Sequence, residues 1–448
     1  MNVSLQMLAI HRRATSLCFR PHQNVCSYVS AYDCNEHYFF TNLMAHRYRA
    51  YPSQPQAEVL SRHCSDARFV WNLALEQLNH YDKRLATRRP PGPAERSRQL
   101  TELRATTWLG SGSSPVQQQA LRDFDRALEN WWGKSHRRPT WRKAGKHESF
   151  CIRDVSLRRL SRKWASIQVP KCGWVRLRLS RPLPETFGMA RVTIDRVGRW
   201  HVAISSQQPQ LRRTGTGALL GIDMGIASTV TTSDGAHDNA PVARRTTDAR
   251  KIRLQRKLSR QDPNSIRRAR TRLALAKLGA RQSDRLNDWR EKATTQMVLD
   301  YDFIAIEDLN VRDMMASAKG TREQPGKNVR AKSGLNRAIA RQGWSAFARR
   351  LEEKAQASGV EVIRIPARNT SIRCSVCRHT GKGNRKNQAD FMCVSCGHRE
   401  HADVNAAKNI LAAGLAATGR GGIVGPIAAS AAPGRPNEAS TALAALAA

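Results

Sequence analysis

The chain has 448 residues, 40% of them apolar and 6% aromatic, which suits two to four packed domains. No run approaches the ~18 apolar residues of a membrane span, and His11, Arg12 and Arg13 break the short apolar stretch where a secretion signal would lie. Seventy-five Lys and Arg face 36 Asp and Glu, a formal net charge of +39, so the expected partner is a long polyanion, nucleic acid, and no membrane.

Residues 1–43 mix Cys, His and Asn without sustained periodicity and read as a disordered extension. His46 to Pro52 alternates like an edge strand stopped by proline. From Gln54 the period becomes helical: Val59, Leu60, Cys64, Ala67, Val70, Trp71 and Leu75 recur at threes and fours. Leu100 and Leu103 mark a second helix, and Leu121, Phe124, Leu128 and Trp131 one side of a third. Pro90, Pro91 and Pro93 punctuate a loop between them. Residues 54–135 thus form a helical domain.

The period falls to two over residues 148–207, where Trp164–Val169 and Trp174–Leu179 read as strands. Ala190–Arg196 and Trp200–Ser205 read as a hairpin about Val197-Gly198-Arg199. Residues 44–53 and 136–213 together are expected to make a small β domain. A third region, 214–366 with 401–413, opens with strands Leu219–Asp223 and Ser228–Thr232. It continues through a basic helical pair over 241–300, broken near Asp262-Pro263, with 17 Lys/Arg against 6 Asp/Glu. A buried strand Phe303–Ile306 ending in Glu307, a helix from Trp344 and a strand Val360–Ile365 follow. The tail, residues 414–448, is rich in Ala, Gly, Ser and Pro and reads as disordered.

Two phosphate-binding patterns fail. Leu128 stands where a phosphate loop ending at Gly133-Lys134-Ser135 needs its first glycine, and Leu220 replaces the third glycine of a dinucleotide loop beginning at Gly215. The cysteines are more informative. Cys374 and Cys377, then Cys393 and Cys396, form two pairs with 15 residues between them, the spacing of a four-thiolate structural zinc site. The other six (Cys18, Cys26, Cys34, Cys64, Cys151, Cys172) have no framework spacing. Without a secretion signal they read as ordinary thiols in a reducing, cytoplasmic compartment, close to the nucleoid if nucleic acid is the partner.

Acids at element ends carry the catalytic signal. Asp223 lies in a glycine-flanked apolar strand, where an uncompensated carboxylate is costly. Glycine neighbours would let the backbone approach a metal-bound phosphate. Glu307 ends the Phe303 strand, and Asp403 opens the helix after His401. Singly, each could be a cap or surface carboxylate. Together, on three separate elements, they can hold two Mg2+ ions that activate water and stabilise a leaving 3′ oxygen. The basic pair 241–300 has too few acids for internal pairing, so Arg256, Arg267, Arg268, Arg270 and Arg272 are candidates for tracking phosphates. Tyr48, Tyr51, Asn72 and Gln77 are candidates for reading bases; for the two tyrosines a place in the core is the alternative.

At these residues the chain resembles the TnpB family, the OrfB-type proteins of bacterial insertion sequences. The resemblance spans about residues 44–411 and rests on His46 to Pro52, Arg68-Phe69-Val70-Trp71-Asn72, Gly221 to Gly225, Ile306 to Val311, the four cysteines and Ala402 to Ile410. It implies an α/β multidomain protein: an RNase H-like (RuvC) nuclease domain with an inserted zinc ribbon (367–400), a helical recognition domain and a small β-barrel-like wedge domain. It also implies RNA-guided DNA cleavage beside a short flanking motif. A transposon-derived guide RNA would read the double-stranded target, and protein contacts would read the flank. By the same resemblance the catalytic acids are Asp223, Glu307 and Asp403, and the zinc ligands are Cys374, Cys377, Cys393 and Cys396. Two departures stand out: Arg378 replaces a usual glycine, and His401 an often acidic residue. A guided DNA-binding repressor that does not cut, and a strand-joining transposase, are the alternatives.

Overall fold

The computed structural model describes residues 43–80, 90–207, 213, 215–241, 245–366 and 368–419. The N-terminal extension, save Leu43, and residues 420–448 of the tail lie outside the described residues. Compactness divides the chain into Met1–Met44 and Ala45–Ala448; the described helices, and the described strands from Ala45 of β1 onward, lie in the second unit.

Strand β1 (Leu43–Tyr51) alternates as its sequence requires: His46, Tyr48 and Ala50 are buried, while Tyr51 is exposed. Ser53 then starts helix α1 (Gln54–Asn79) with a capping box, its Oγ accepting from Gln56 N and its own N–H donating to Gln56 Oε1. Helix α3 (Ser114–Trp132) packs on α1, and α2 (Pro93–Thr106) packs on α3. A buried hydrogen bond from Gln117 to Asp66, 2.9 Å, and an Arg96–Asp125 ion pair tie them together.

β1 sits in a seven-stranded sheet with β2 (Ser149–Ile152), β3 (Leu157–Arg159), β4 (Trp164–Val169), β5 (Gly173–Arg178), β6 (Ala190–Ile194) and β7 (Trp200–Gln207). The order is β2-β6-β7-β1-β5-β4-β3. The expected barrel-like closure is not made, because β2 and β3 are the two free ends of that order. Helices α1 and α3 pack on β2, with Phe150 edge-on to His63 of α1 and Cys151 Sγ directed at Asp123 of α3. Sheet and helices share one core, including Tyr48, Leu60, Phe124, Phe150, Ile167 and Val202.

The second sheet holds β8 (Leu219–Asp223), β9 (Val230–Thr232), β10 (His237–Asp238), β11 (Phe303–Glu307) and β12 (Glu361–Ile365) in the order β10-β9-β8-β11-β12. β8, β11 and β12 run parallel; β9 and β10 are antiparallel additions. The basic hairpin forms as α4 (Arg245–Ser259) and α5 (Ile266–Asp300). A short turn α6 (Val311–Met314), then α7 (Val329–Gln342) and α8 (Trp344–Ser358), lead into β12. The cysteine segment carries a two-stranded ribbon, β13 (Asp390–Met392) and β14 (Arg399–His401), followed by α9 (Ala402–Ala417). The low-complexity reading of the tail is therefore corrected at its start: residues 414–417 are helical, and Gly414 and Leu415 are buried because they complete the face of α9 that covers the sheet. No helix of the described residues is long and apolar enough to cross a membrane.

Alternation sorts the two faces of this sheet. Leu220, Ile222, Ile304 and Ile306 join Val298 of α5 and Trp344, Phe347 and Leu351 of α8. Phe303, Ala305 and Ile365 meet Ile410, Leu411 and Leu415 of α9. Helix α9 comes so close that a Cβ on Gly221 would stand 2.1 Å from Ala407 O, and one on Gly414 would stand 2.6 Å from Ala305 Cβ. The glycine beside Asp223 thus serves helix docking. Gly221→Ala should lower stability by at least about 2 kcal/mol in urea unfolding, since a backbone oxygen cannot give way as a side chain can. Gly279→Ala, in open space on α5, should be neutral or stabilising by up to about 1 kcal/mol. Equal effects at the two positions would contradict this packing.

Candidate metal centres and nucleic-acid interface

The parity that places Gly221 and Ala305 against α9 also puts Asp223 and Glu307 on that face. Both stand at the C-terminal ends of adjacent parallel strands, one position beyond the Ile222–Ile306 pair. Asp403 lies in the first turn of α9, whose N-cap is His401: its Nδ1 accepts from Asp403 N at 3.3 Å. His401 also meets the edge of the His237 ring, with centroids 4.7 Å apart. Glu307 and Asp403 are each only 7% exposed.

Burial, followed by the charges of Glu307 and Asp403, pushes the Asp223 carboxyl up to about 8, with Arg385 pulling the other way. Burial also raises Glu307, while Thr370 Oγ1, donating to Glu307 Oε1 at 2.7 Å, opposes the rise. Arg385 donates to Asp403 Oδ1 at 3.1 Å. Three carboxylates from three elements therefore share one poorly hydrated patch, and the ribbon's arginine partly neutralises it. Its donor set, all oxygen and all acidic, is of the kind that suits hard cations. Arg385 and Thr370 were not among the sequence candidates. Only their position around the cysteine pairs hinted at them.

The four cysteines form a second centre. Among the described residues they are the one group of three or more potential ligands whose atoms all lie within 4.8 Å of one another. Cys374 and Cys396 Sγ are 3.7 Å apart, and Cys377 and Cys393 Sγ 3.5 Å. A zinc tetrahedron with bonds of about 2.3 Å needs sulfurs about 3.8 Å apart, so the group fits that ion. The two knuckles repeat one pattern: Cys374 N donates to His379 O and Cys393 N to His398 O. The residue after each pair is left-handed, Gly397 at φ +74° and Arg378 at φ +65°. A non-glycine residue there costs about 1 kcal/mol, which explains the glycine usual at Arg378.

The nucleic-acid candidates divide by surroundings. Tyr48 is a core residue whose hydroxyl donates to Pro182 O at 2.7 Å. Asn72 is spent on the backbone of Arg142, donating from Nδ2 and accepting at Oδ1, and Gln77 donates to Gln99. Arg268 donates to Leu258 O and Gln261 O and closes the α4–α5 turn. Arg270 and Arg272 are exposed, while Arg256 and Arg267 line a basic cleft of about 900 Å3 with Arg253, Lys257 and Arg260. Tyr51 is 47% exposed and belongs to a face that sequence reasoning did not assemble. Arg49 lies over Tyr51, Arg176 and Arg178 over Trp164, and Arg158 over Trp174, at 4.6–5.4 Å. The signal was legible as Trp174, Arg176 and Arg178 at period two. Stacked cations and rings on an open sheet suit phosphates and unpaired bases.

The raised Asp223 carboxyl has a consequence for stability. It keeps its proton up to about pH 8 in the fold, whereas the unfolded chain releases it near pH 4, so its contribution is lost as pH rises between them. In Mg2+-free buffer with zinc retained, Asp223→Asn should gain on the wild type in urea midpoint as pH goes from 5 to 8. A constant difference between the two would contradict the clustering of the acids.

Three family descriptions match the chain: "Helix-turn-helix domain" over residues 42–84, "Probable transposase" over 201–318, and "Cas12f1-like, TNB domain" over 344–410. The chain is 35% identical over 387 residues to "Putative RNA-guided DNA endonuclease InsQ" of Escherichia coli (strain K12), covering 85% of this chain and 95% of that one. It is 32% identical over 400 residues to "Putative RNA-guided DNA endonuclease" of Streptomyces pristinaespiralis, covering 87% and 94%. Among solved structures, the Cas12f1–sgRNA–target DNA complex aligns over 80% of this chain and 83% of that one, with a TM-score of 0.47 and 12% identity. Identity at this level along nearly the full length of both relatives makes the chain a member of the TnpB family of OrfB-type proteins.

Proposed function

We propose that the chain is an RNA-guided DNA endonuclease whose cutting centre is Asp223, Glu307 and Asp403. The observation that carries this reading is the convergence of those carboxylates on one buried patch, close enough for Glu307 and Asp403 to raise Asp223. The sheet order β10-β9-β8-β11-β12, three antiparallel strands continued by two parallel ones, supports an RNase H-like (RuvC) nuclease domain. The relatives' names, over 85% and 87% of this chain, support guided DNA cleavage.

Mg2+, when bound, would activate water and stabilise the leaving 3′ oxygen of a phosphodiester. The protein's own groups prepare for that chemistry. The three acids would supply oxygen ligands, and Asp223, whose carboxyl burial and its acidic neighbours raise to about 8, would have to give up its proton to serve as one. Glu307 offers Oε2, since Oε1 is engaged by Thr370. Arg385, beside Asp403, is placed to pass from that carboxylate to a phosphate of the bound strand. A zinc ion held by Cys374, Cys377, Cys393 and Cys396 would be structural, since four thiolates leave no position for substrate. The arginine–aromatic face and the α4–α5 cleft hold the guide and the displaced strands by charge and stacking, while base pairing reads the target.

The test starts from the RNA that co-purifies with the protein. Sequencing it gives the guide, and a plasmid carrying the matching target beside a randomised flank gives cleavage in Mg2+. Asp223→Ala should slow cutting at least about 10^3-fold, the loss of several kcal/mol of metal-assisted stabilisation, and leave guided binding in place. Undiminished cutting by that variant would refute the assignment. Binding without cutting by the wild type would make the chain a guided repressor, and strand transfer without RNA a transposase.

A further inference from the structure

We propose that Thr370 is a positioning residue for Glu307, and that through it the zinc ribbon fixes the orientation of the second carboxylate. The proposal rests on the reading of Asp223, Glu307 and Asp403 as the cutting centre.

Thr370 lies in the turn between β12 and the first cysteine pair and is 7% exposed. Its side chain reaches Glu307, 63 residues earlier, and its backbone carbonyl accepts from Asn409 Nδ2 of α9 at 3.0 Å. The same Nδ2 donates to Arg373 O at 2.7 Å. One turn nearer the start of α9, Asn405 donates to Arg373 O at 2.8 Å and accepts from Ser375 N at 2.9 Å. Ser375 is the residue after the zinc ligand Cys374. An unbroken set of hydrogen bonds thus runs from the first knuckle through two asparagines to Thr370, and from its hydroxyl to Glu307. The helix that supplies both asparagines also carries Asp403.

A glutamate side chain has three rotatable bonds, so a strand end alone does not aim its carboxylate. The Thr370 donor on Oε1 restricts how the carboxylate turns and leaves Oε2 to a cation. Outer partners of this kind change metal affinity or activity about 10- to 100-fold when removed. Valine keeps the shape of threonine and removes the donor; serine keeps the donor.

The test uses the full chain with its zinc in place. Mn2+ alone is titrated in, and the free ion is read by electron paramagnetic resonance. Glu307→Gln and Asp223→Ala mark the acid site by losing Mn2+ binding. Thr370→Val should bind Mn2+ about 10-fold more weakly and need correspondingly more Mg2+ for half-maximal cleavage, with Thr370→Ser within about twofold of the wild type. Both variants should keep one zinc per chain and their cooperative melt. Wild-type Mn2+ affinity in Thr370→Val, or equal weakening in Thr370→Ser, would overturn the proposal. So would loss of zinc in Thr370→Val, which would make Thr370 part of the ribbon's fold alone. Wild-type Mn2+ binding by Glu307→Gln and Asp223→Ala would instead overturn the cutting-centre reading, and this proposal with it.

Discussion

Like charges brought together in a poorly hydrated patch repel, and the architecture around Asp223, Glu307 and Asp403 is organised by that repulsion. Strand alternation fixes the side from which Asp223 and Glu307 project, and the parallel pairing of β8 with β11 makes them neighbours. Asp403 can join them only if α9 lies flat on the sheet, which Gly221 and Gly414 permit by having no side chain in the way. In the resulting patch Asp223 holds its proton up to about pH 8, and Arg385 supplies a compensating charge. A patch that is electrostatically unfavourable alone becomes favourable when hard cations occupy it.

The four-cysteine ribbon then acquires a role beyond closing a small subdomain. Its knuckles are held to α9 by Asn405 and Asn409, and its loop delivers Arg385 to Asp403. Folding of the ribbon and assembly of the acid patch are therefore mechanically linked. Part of the chain's large positive charge sits elsewhere, on the α4–α5 hairpin and on the open sheet face where arginines lie over Tyr51, Trp164 and Trp174.

Much of this was legible in the sequence, for identifiable reasons. Apolar strands ending in acids, and paired cysteines at knuckle spacing, are local patterns whose chemistry follows from residue type, and the acids and the thiols each come together where those patterns lie. Side-chain direction was less accessible. Tyr48 and Tyr51 look alike as residues, yet opposite parity in β1 puts one in the core and the other at the surface. Asn72 and Gln77 were base-reading candidates by type, but tertiary partners 70 and 22 residues away engage them. Gly221 suggested a close approach to phosphate; what approaches is a helix, from nearly two hundred residues later in the chain. The barrel-like closure is not made, since β2 and β3 end the sheet unpaired with each other, and strand periodicity alone does not say whether two edges meet. Thr370 and Arg385 carry no signal beyond their place around the cysteine pairs, since their roles come from partners that only folding brings near.

The most direct measurement is a Mn2+ soak of zinc-loaded crystals, with anomalous diffraction recorded at the manganese edge. The account predicts manganese lodged between the carboxylates of Asp223, Glu307 and Asp403, with Arg385 withdrawn from Asp403 and zinc still on the four cysteines. A map with zinc in place and no manganese at those acids would contradict it.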